Sequence, residues 1–223
     1  MQDIPFAGTF VTSREQLTQK LSGIKAFVFD WDGVFNDGQK DISGSSTFSE
    51  VDAMGTNLLR FNHFLTHQQL PVTAVISGEK NEISFSFARR EHFHAVYFGI
   101  KHKIQALEHF CAQHKLQASE IAFIFDDVLD FSIAEVAGLR IMIGRSSTLL
   151  LQEFAKKNNL VDYITGSDGG AHGLRESAEL LMGLSGNYSD TIEHRMRSSE
   201  LYKTYLSSRN EAETVLFGPG EIG

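Results

Sequence analysis

Short, continuous apolar runs punctuate the chain, and amphipathic stretches lie between them. The clearest run is AFVF at 26–29, which ends abruptly in two carboxylates one residue apart, Asp30 and Asp32, with Gly33 directly behind. Unbroken hydrophobicity implies that both faces of the segment are covered, as in a buried parallel strand. PVTAVISG, from Pro71, predicts a second such strand, and IAFIF at 121–125 is another apolar run ending in acids. Shorter strands are predicted at Ala95–Phe98, Arg140–Ile143 and Val161–Ile164. Ser13 with Gln16 three residues on gives a capping-box start to an N-terminal helix ending near Gly23. Further helices are predicted over about 56–68, 80–91, 101–115, 147–158 and 174–184. Strand and helix alternate, which predicts a parallel sheet with right-handed crossovers. The fold class is α/β, a Rossmann-like parallel sheet flanked by helices. Asp37-Gly38 and Ser43-Gly44 are turn signals and predict a small β-hairpin flap within 34–52. From about Ser185 the chain is polar and charged, with Glu193 and Arg197 at i,i+4, and reads as an exposed helix with a loose end. No internal repeat or low-complexity linker interrupts the pattern.

Composition narrows the possibilities. With 223 residues, 42% hydrophobic and 22% charged, the chain is an ordinary globule long enough for a real core. A net charge of −8 argues against a nucleic-acid partner, which would need a basic face. Cys111 is the single cysteine, so no disulfide framework exists, and within its helical stretch it reads as a small packing residue. No apolar run approaches the roughly 20 residues that span a bilayer, and no signal segment is evident, so no membrane partner and a cytoplasmic location are expected. The eighteen phenylalanines are assigned to the core.

Candidate chemistry gathers at four strand ends, where open α/β sheets bind ligands. Asp30 and Asp32 can share one side if the extended backbone persists, one to attack or hold a metal and the other to move protons. Ser77, backed by Gly78, places a hydroxyl suited to a phosphoryl oxygen. Lys101 and Lys103 open a helix, where the helix dipole disfavours cations and a specific anionic partner is therefore expected. Asp126, Asp127 and Asp130 are too acidic a group to share a strand end without a cation, and oxygen-only ligands suit Mg²⁺. Taken singly, each feature also has a purely structural reading.

In this set and order the motifs resemble the haloacid dehalogenase (HAD) superfamily, over roughly Ile24 to Leu184. The resemblance implies that Asp30 is the nucleophile forming an aspartyl-phosphate. It implies that Asp32 is the general acid/base and lends Mg²⁺ a backbone carbonyl. Ser77 and Lys103 become catalytic phosphate-holding groups with Gly78 beside them, and Asp126 joins Asp30 and Asp32 as a metal ligand. Asp127 and Asp130 are then supporting residues. Neither the gap from Asp30 to Ser77 nor that from Ser77 to Lys103 can hold a cap domain. The chain is thus similar to the capless branch that contains the 3-deoxy-D-manno-octulosonate 8-phosphate phosphatases, a likeness supported by DGVFNDG, by Phe48, Asp52 and Gly55, by YFG and by GGAHGLRE. That branch implies a homotetramer in which a neighbour helps cover the site. The expected organisation is an N-terminal helical extension (1–23), a HAD-like hydrolase domain (24–184) and a polar, partly helical tail (185–223).

The chain also departs from that branch. Val51, Asn57 and Glu79 stand where arginines usually read a sugar-acid carboxylate. Phe125 replaces the usual glycine before the paired aspartates and is expected to narrow the site, and Trp31 fills the slot between the first pair. His63 and His67 share a helix face without an evident third zinc ligand, and His92 and His94 are expected at the surface. Gly169, Gly170 and Gly173 form either a plain loop or a flexible one at an intersubunit site. The expected function is a Mg²⁺-dependent phosphatase for a small phosphorylated metabolite, a sugar or sugar-acid phosphate. The alternatives are a weak or inactive regulatory or scaffolding relative, and a two-component receiver domain, which the order of the acidic motifs opposes.

Overall fold

The computed structural model describes residues 6–222. Eight strands form one sheet: β1 (Thr9–Phe10), β2 (Ala26–Phe29), β3 (Val72–Ile76), β4 (Ala95–Tyr97), β5 (Ile121–Phe125), β6 (Leu139–Met142), β7 (Tyr163–Ile164) and β8 (Val215–Phe217). Their order is β1-β7-β6-β5-β2-β3-β4-β8. All neighbours run parallel except β1, which pairs antiparallel with β7. Helices α1 (Arg14–Leu21), α2 (Glu50–His67), α3 (Glu82–Arg90), α4 (Lys103–His114), α5 (Phe131–Ala134), α6 (Leu149–Lys157), α7 (Gly173–Ser185), α8 (Tyr188–Met196) and α9 (Glu200–Asn210) complete the fold.

The sequence produces this layering through the two-residue period of its strands. Phe27 and Phe29 enter one core with Leu58, Leu59, Leu180 and Leu181 of α2 and α7. Ala26 and Val28 enter the other, with Ala106 and Phe110 of α4 and Ile133 of α5. Both faces of β2 are therefore sealed, which explains why its sequence is apolar without alternation.

The direction in which successive strands are added reverses between β2 and β5, which themselves run parallel. From β2 the chain steps outward through β3 to β4, then returns to β5 on the far side of β2. The carboxyl end of such a switch point is a crevice. Phe29 is in register with Ile124, so Asp30 and Asp126 emerge side by side from neighbouring strands.

Three segments differ from the sequence expectations. Where turn signals predict a hairpin, residues 38–49 form a loop with no strand ladder, closed by Asp41 N–H donating to the Ser45 carbonyl at 2.8 Å. The Asp41 side chain accepts from Ser43 and Ser45 and so satisfies locally what a ladder would otherwise satisfy. Helix α2 starts at Glu50 rather than near 56, because Ser49 caps it by accepting from the Val51 N–H at 3.1 Å. The segment after Ser185 is no loose end. Tyr202 and Tyr205 of α9 bury themselves against Phe61 and Phe64 of α2, and β8 adds to the sheet beside β4, where Phe217 stacks on Tyr97. No domain interrupts the sheet, in keeping with a capless architecture. Among the described residues no helix is long and apolar enough to cross a membrane.

Candidate active site

The backbone breaks immediately after β2. Gly33 adopts φ +87°, and a Cβ there would sit 2.0 Å from Asp126 Oδ2. Only glycine lets the turn pass so close to the neighbouring acid. The resulting crevice is lined by Asp30, Asp32, Gly33, Ser77, Gly78, Lys103, Asp126, Asp127 and Asp130. Every site residue expected from the sequence is therefore on one pocket. Lys101, Glu79, Val128, Leu129 and Arg145 complete its rim.

Lys103 organises the floor. It is the first residue of α4, and its Nζ lies 2.6 Å from both Asp30 Oδ1 and Asp130 Oδ1. Burial works against its charge, but the two carboxylates outweigh burial and hold the ammonium above its ordinary pKa. Asp130 is fixed from its other oxygen by the Asp127 N–H, and Asp127 caps the short turn at Val128–Asp130. Ser77 is buried at the end of β3, and its hydroxyl accepts from the Glu79 N–H at 3.2 Å. Lys101 turns outward and pairs with Glu79 at the mouth.

Asp30, Asp126 and Asp130 each offer a carboxylate oxygen, and these oxygens lie within 4.8 Å of one another. Burial first, and then the neighbouring Asp30 and Asp130 charges, push Asp126 up to about 8. Asp130 is raised for the same two reasons, burial and Asp30. Lys103 and Arg145 leave this buried negative charge incompletely compensated, and a hard, all-oxygen donor set of this kind fits a divalent cation such as Mg²⁺. The Asp32 carboxylate stands outside the cluster. It accepts from the Ser46 hydroxyl at Oδ1 and pairs with Lys40 Nζ at 2.7 Å through Oδ2.

Several sequence expectations are corrected here. Phe125 does not narrow the pocket: it is fully buried, stacked on Phe123 and edge-on to Phe131, because its side chain falls on the core side of β5. Asn57 faces away from the site and accepts from the Tyr202 hydroxyl at 3.0 Å. Of the three arginine-replacing positions, Glu79 lines the pocket, while Val51 is exposed at the start of α2. His63 directs both ring nitrogens at backbone carbonyls, of Gln69 and Ile24, which leaves none for zinc. His94 is only part-exposed. Its Nδ1 accepts from the Thr73 N–H at 3.1 Å, and burial lowers its pKa to about 4.

Sequence reasoning missed Arg145, whose Nη2 lies 3.1 Å from Asp126 Oδ2. Its signal was available: it stands three residues beyond the last residue of β6, just past a strand end of the kind already searched for acids. Lys40 and Ser46 carried no such signal, since both lie in a loop.

The order of the strand-end side chains and the mostly parallel sheet resemble those of phosphomonoesterases of the haloacid dehalogenase type. Comparison with known proteins gives the particular branch it resembles. The 3-deoxy-D-manno-octulosonate 8-phosphate phosphatase KdsC of Yersinia pestis is 23% identical over 172 residues, which is 75% of this chain and 84% of that protein. The crystal structure of the same-named phosphatase from Moraxella catarrhalis, in complex with magnesium, phosphate and a KDO molecule, is 25% identical. It superposes with a TM-score of 0.66 over 80% of this chain and 97% of that one. The cobalt-bound deoxy-D-mannose-octulosonate 8-phosphate phosphatase of Haemophilus influenzae has the same fold, with a TM-score of 0.62 over 76% of this chain and 93% of that one at 24% identity. No family model matches the chain.

Proposed function

We propose that this protein is a Mg²⁺-dependent phosphatase that hydrolyses a small sugar or sugar-acid phosphate through an aspartyl-phosphate on Asp30. The observation that carries this reading is the buried Asp30–Lys103–Asp130 bridge beside Asp126 at the switch point of the sheet. Lys103 fixes the rotation of the Asp30 side chain through its contact with Oδ1 and so orients the nucleophile. The Asp30 carboxylate attacks phosphorus, the bond from phosphorus to the leaving oxygen breaks, and Asp32 donates a proton to that oxygen. Water then attacks the acyl phosphate while Asp32 takes its proton, and inorganic phosphate departs. Ser77 and the Gly78 backbone hold the phosphoryl oxygens, and Lys103 opposes the charge on them. Asp30, Asp126 and the Asp32 carbonyl would hold the metal ion, which supplies further charge neutralisation.

The activity for which the relatives are named supports a sugar-phosphate substrate, and the rim of this site refines it. Glu79 places a carboxylate at the mouth, held by Lys101. A substrate carboxylate there would lose charge-assisted bonds worth about 1.5–3 kcal/mol each. Esters whose remainder is neutral or cationic are therefore favoured over sugar-acid phosphates. An open, capless site also needs cover to exclude water. We assign that cover to a neighbouring subunit of a cytoplasmic homo-oligomer, most simply a tetramer, acting through the 34–52 loop. A panel of sugar, sugar-acid and nucleotide phosphates, assayed with Mg²⁺, tests the reading. Turnover of several neutral sugar phosphates is expected, whereas inactivity across the panel favours a non-catalytic regulatory relative.

A further inference from the structure

Ser46 lies in the loop between β2 and α2, 14 residues from Asp32 in sequence, and is almost fully buried. Four polar groups converge on its Oγ. Trp31 Nε1 lies at 3.0 Å, Asn81 Nδ2 at 2.7 Å and Asn36 Nδ2 at 3.2 Å, and the fourth is Asp32 Oδ1.

The direction of each of these bonds is fixed by chemistry. An indole N–H can only donate. Both amides are oriented by backbone donors: Asn81 Oδ1 accepts from the Ile83 and Ser84 N–H groups, and Asn36 Oδ1 from those of Gly33 and Gly38. Their NH₂ groups therefore face Ser46. The hydroxyl has two lone pairs and one proton; Trp31 and Asn81 fill the lone pairs, and Asn36, which also donates to the Thr47 carbonyl at 2.9 Å, adds a third, longer contact on the same acceptor side. Its proton has one remaining destination, Asp32 Oδ1.

We propose that Ser46 is a positioning residue for Asp32: by committing Oδ1 to the role of acceptor, it makes Oδ2 the single oxygen that exchanges a proton with the substrate. This rests on the reading of Asp32 as the general acid of a phosphatase. In the first step the Asp30–phosphorus bond forms and the bond from phosphorus to the leaving oxygen breaks. The proton on Asp32 Oδ2 passes to the departing oxygen, and Oδ1 keeps the Ser46 bond throughout. Oδ2 meets Lys40 Nζ at 2.7 Å, a part-exposed partner on the same loop that an arriving substrate can displace. The loop thus orients its own subunit's acid, whatever else it covers.

The test compares kcat/KM for phenyl phosphate and p-nitrophenyl phosphate, two esters of similar shape whose leaving groups differ in their need for a proton. In Ser46→Ala the value for phenyl phosphate is expected to fall about tenfold or more, a fraction of what general acid catalysis supplies. The value for p-nitrophenyl phosphate is expected to change by less than about threefold, because its phenolate leaves unassisted. Ser46→Thr, which keeps a hydroxyl, should restore the wild-type ratio. Asn81→Asp gives a second reading should Ser46→Ala fail to fold. It retains a helix-capping oxygen but turns a donor towards Ser46 into an acceptor, so the hydroxyl proton can swing away from Asp32 and the phenyl phosphate defect should reappear. Equal losses on both esters in folded Ser46→Ala or Asn81→Asp protein would overturn the proposal. A wild type that hydrolyses neither aryl ester nor any phosphate of the metabolite panel would overturn the phosphatase reading itself, and the role of Ser46 with it.

Discussion

Arg145 Nη2 stands 3.1 Å from Asp126 Oδ2, so a fixed cation already occupies one side of a carboxylate assigned to the metal. The guanidinium and the ion compete for the same charge. Arg145→Gln is expected to bind Mg²⁺ about five- to tenfold more tightly in the absence of substrate, the scale of one partly screened charge pair. Isothermal titration of the metal-free protein measures this directly. Unchanged or weaker binding would show that Arg145 organises Asp126 rather than competing for it.

Loss of the nucleophile should be complete. Asp30→Asn presents an amide that cannot accept the phosphoryl group, and turnover should drop to background. Asp32→Asn should be slowed by about 10²–10⁴-fold, the usual value of general acid/base help. Acid-quench trapping of radiolabelled phosphoenzyme distinguishes the two, since only the Asp32 variant retains the carboxylate that is labelled.

Metal removal and pH act on the same side chains. Asp126, pushed up to about 8 by burial and by its acidic neighbours, sits well above its unfolded value. A carboxyl raised in this way holds its proton in the folded state at pH values where the unfolded chain has lost it, so its contribution to stability falls as pH rises from about 4 through about 8. A divalent cation held by Asp126 would replace that proton. Chelator treatment should therefore abolish activity and Mg²⁺ should restore it. The rise in melting temperature on adding Mg²⁺ should be larger at pH 8 than at pH 5.5. An equal rise at both values would place the ion away from Asp126.

His94 works in the opposite direction. Burial lowers it to about 4, so between about 6.5 and 4 the unfolded chain binds the extra proton and the fold loses stability as pH falls. His94→Gln removes that liability while leaving a side chain able to meet the Thr73 N–H. Its stability should change less than the wild type's across this window in urea titrations, with a modest overall cost from imperfect packing. A variant as acid-sensitive as the wild type would mean that other groups govern this limb.

Much of the site was legible because its side chains sit at strand ends, where an apolar run stops at a polar residue. Asp30, Ser77 and Asp126 announce themselves in this way, and Lys103 follows a strand by one short turn. Phe125 was misread because its position before the paired acids suggested the pocket, whereas strand periodicity turns it into the core beside Phe123. Strand β8 was invisible for a different reason. Three residues, Val215–Phe217, lie in a polar context, and their strand character comes from pairing with β4 rather than from any local pattern. The loop residues Lys40 and Ser46 depend on contacts across 8 and 14 residues of irregular chain, which no period encodes. Asn57 shows the converse: a position assigned to substrate is taken by the tyrosines of α9.

The sheet's two margins are closed by β1 at residues 9–10 and β8 at residues 215–217. Their neighbours β7 and β4 are thus shielded by short pieces remote from the strand-end acids. A protease that trimmed either piece would leave every side chain of the acidic crevice in place and uncover an unpaired edge, a template for another chain. For this molecule, vulnerability to self-association lies at its outermost strands, while its acidic crevice lies at the centre.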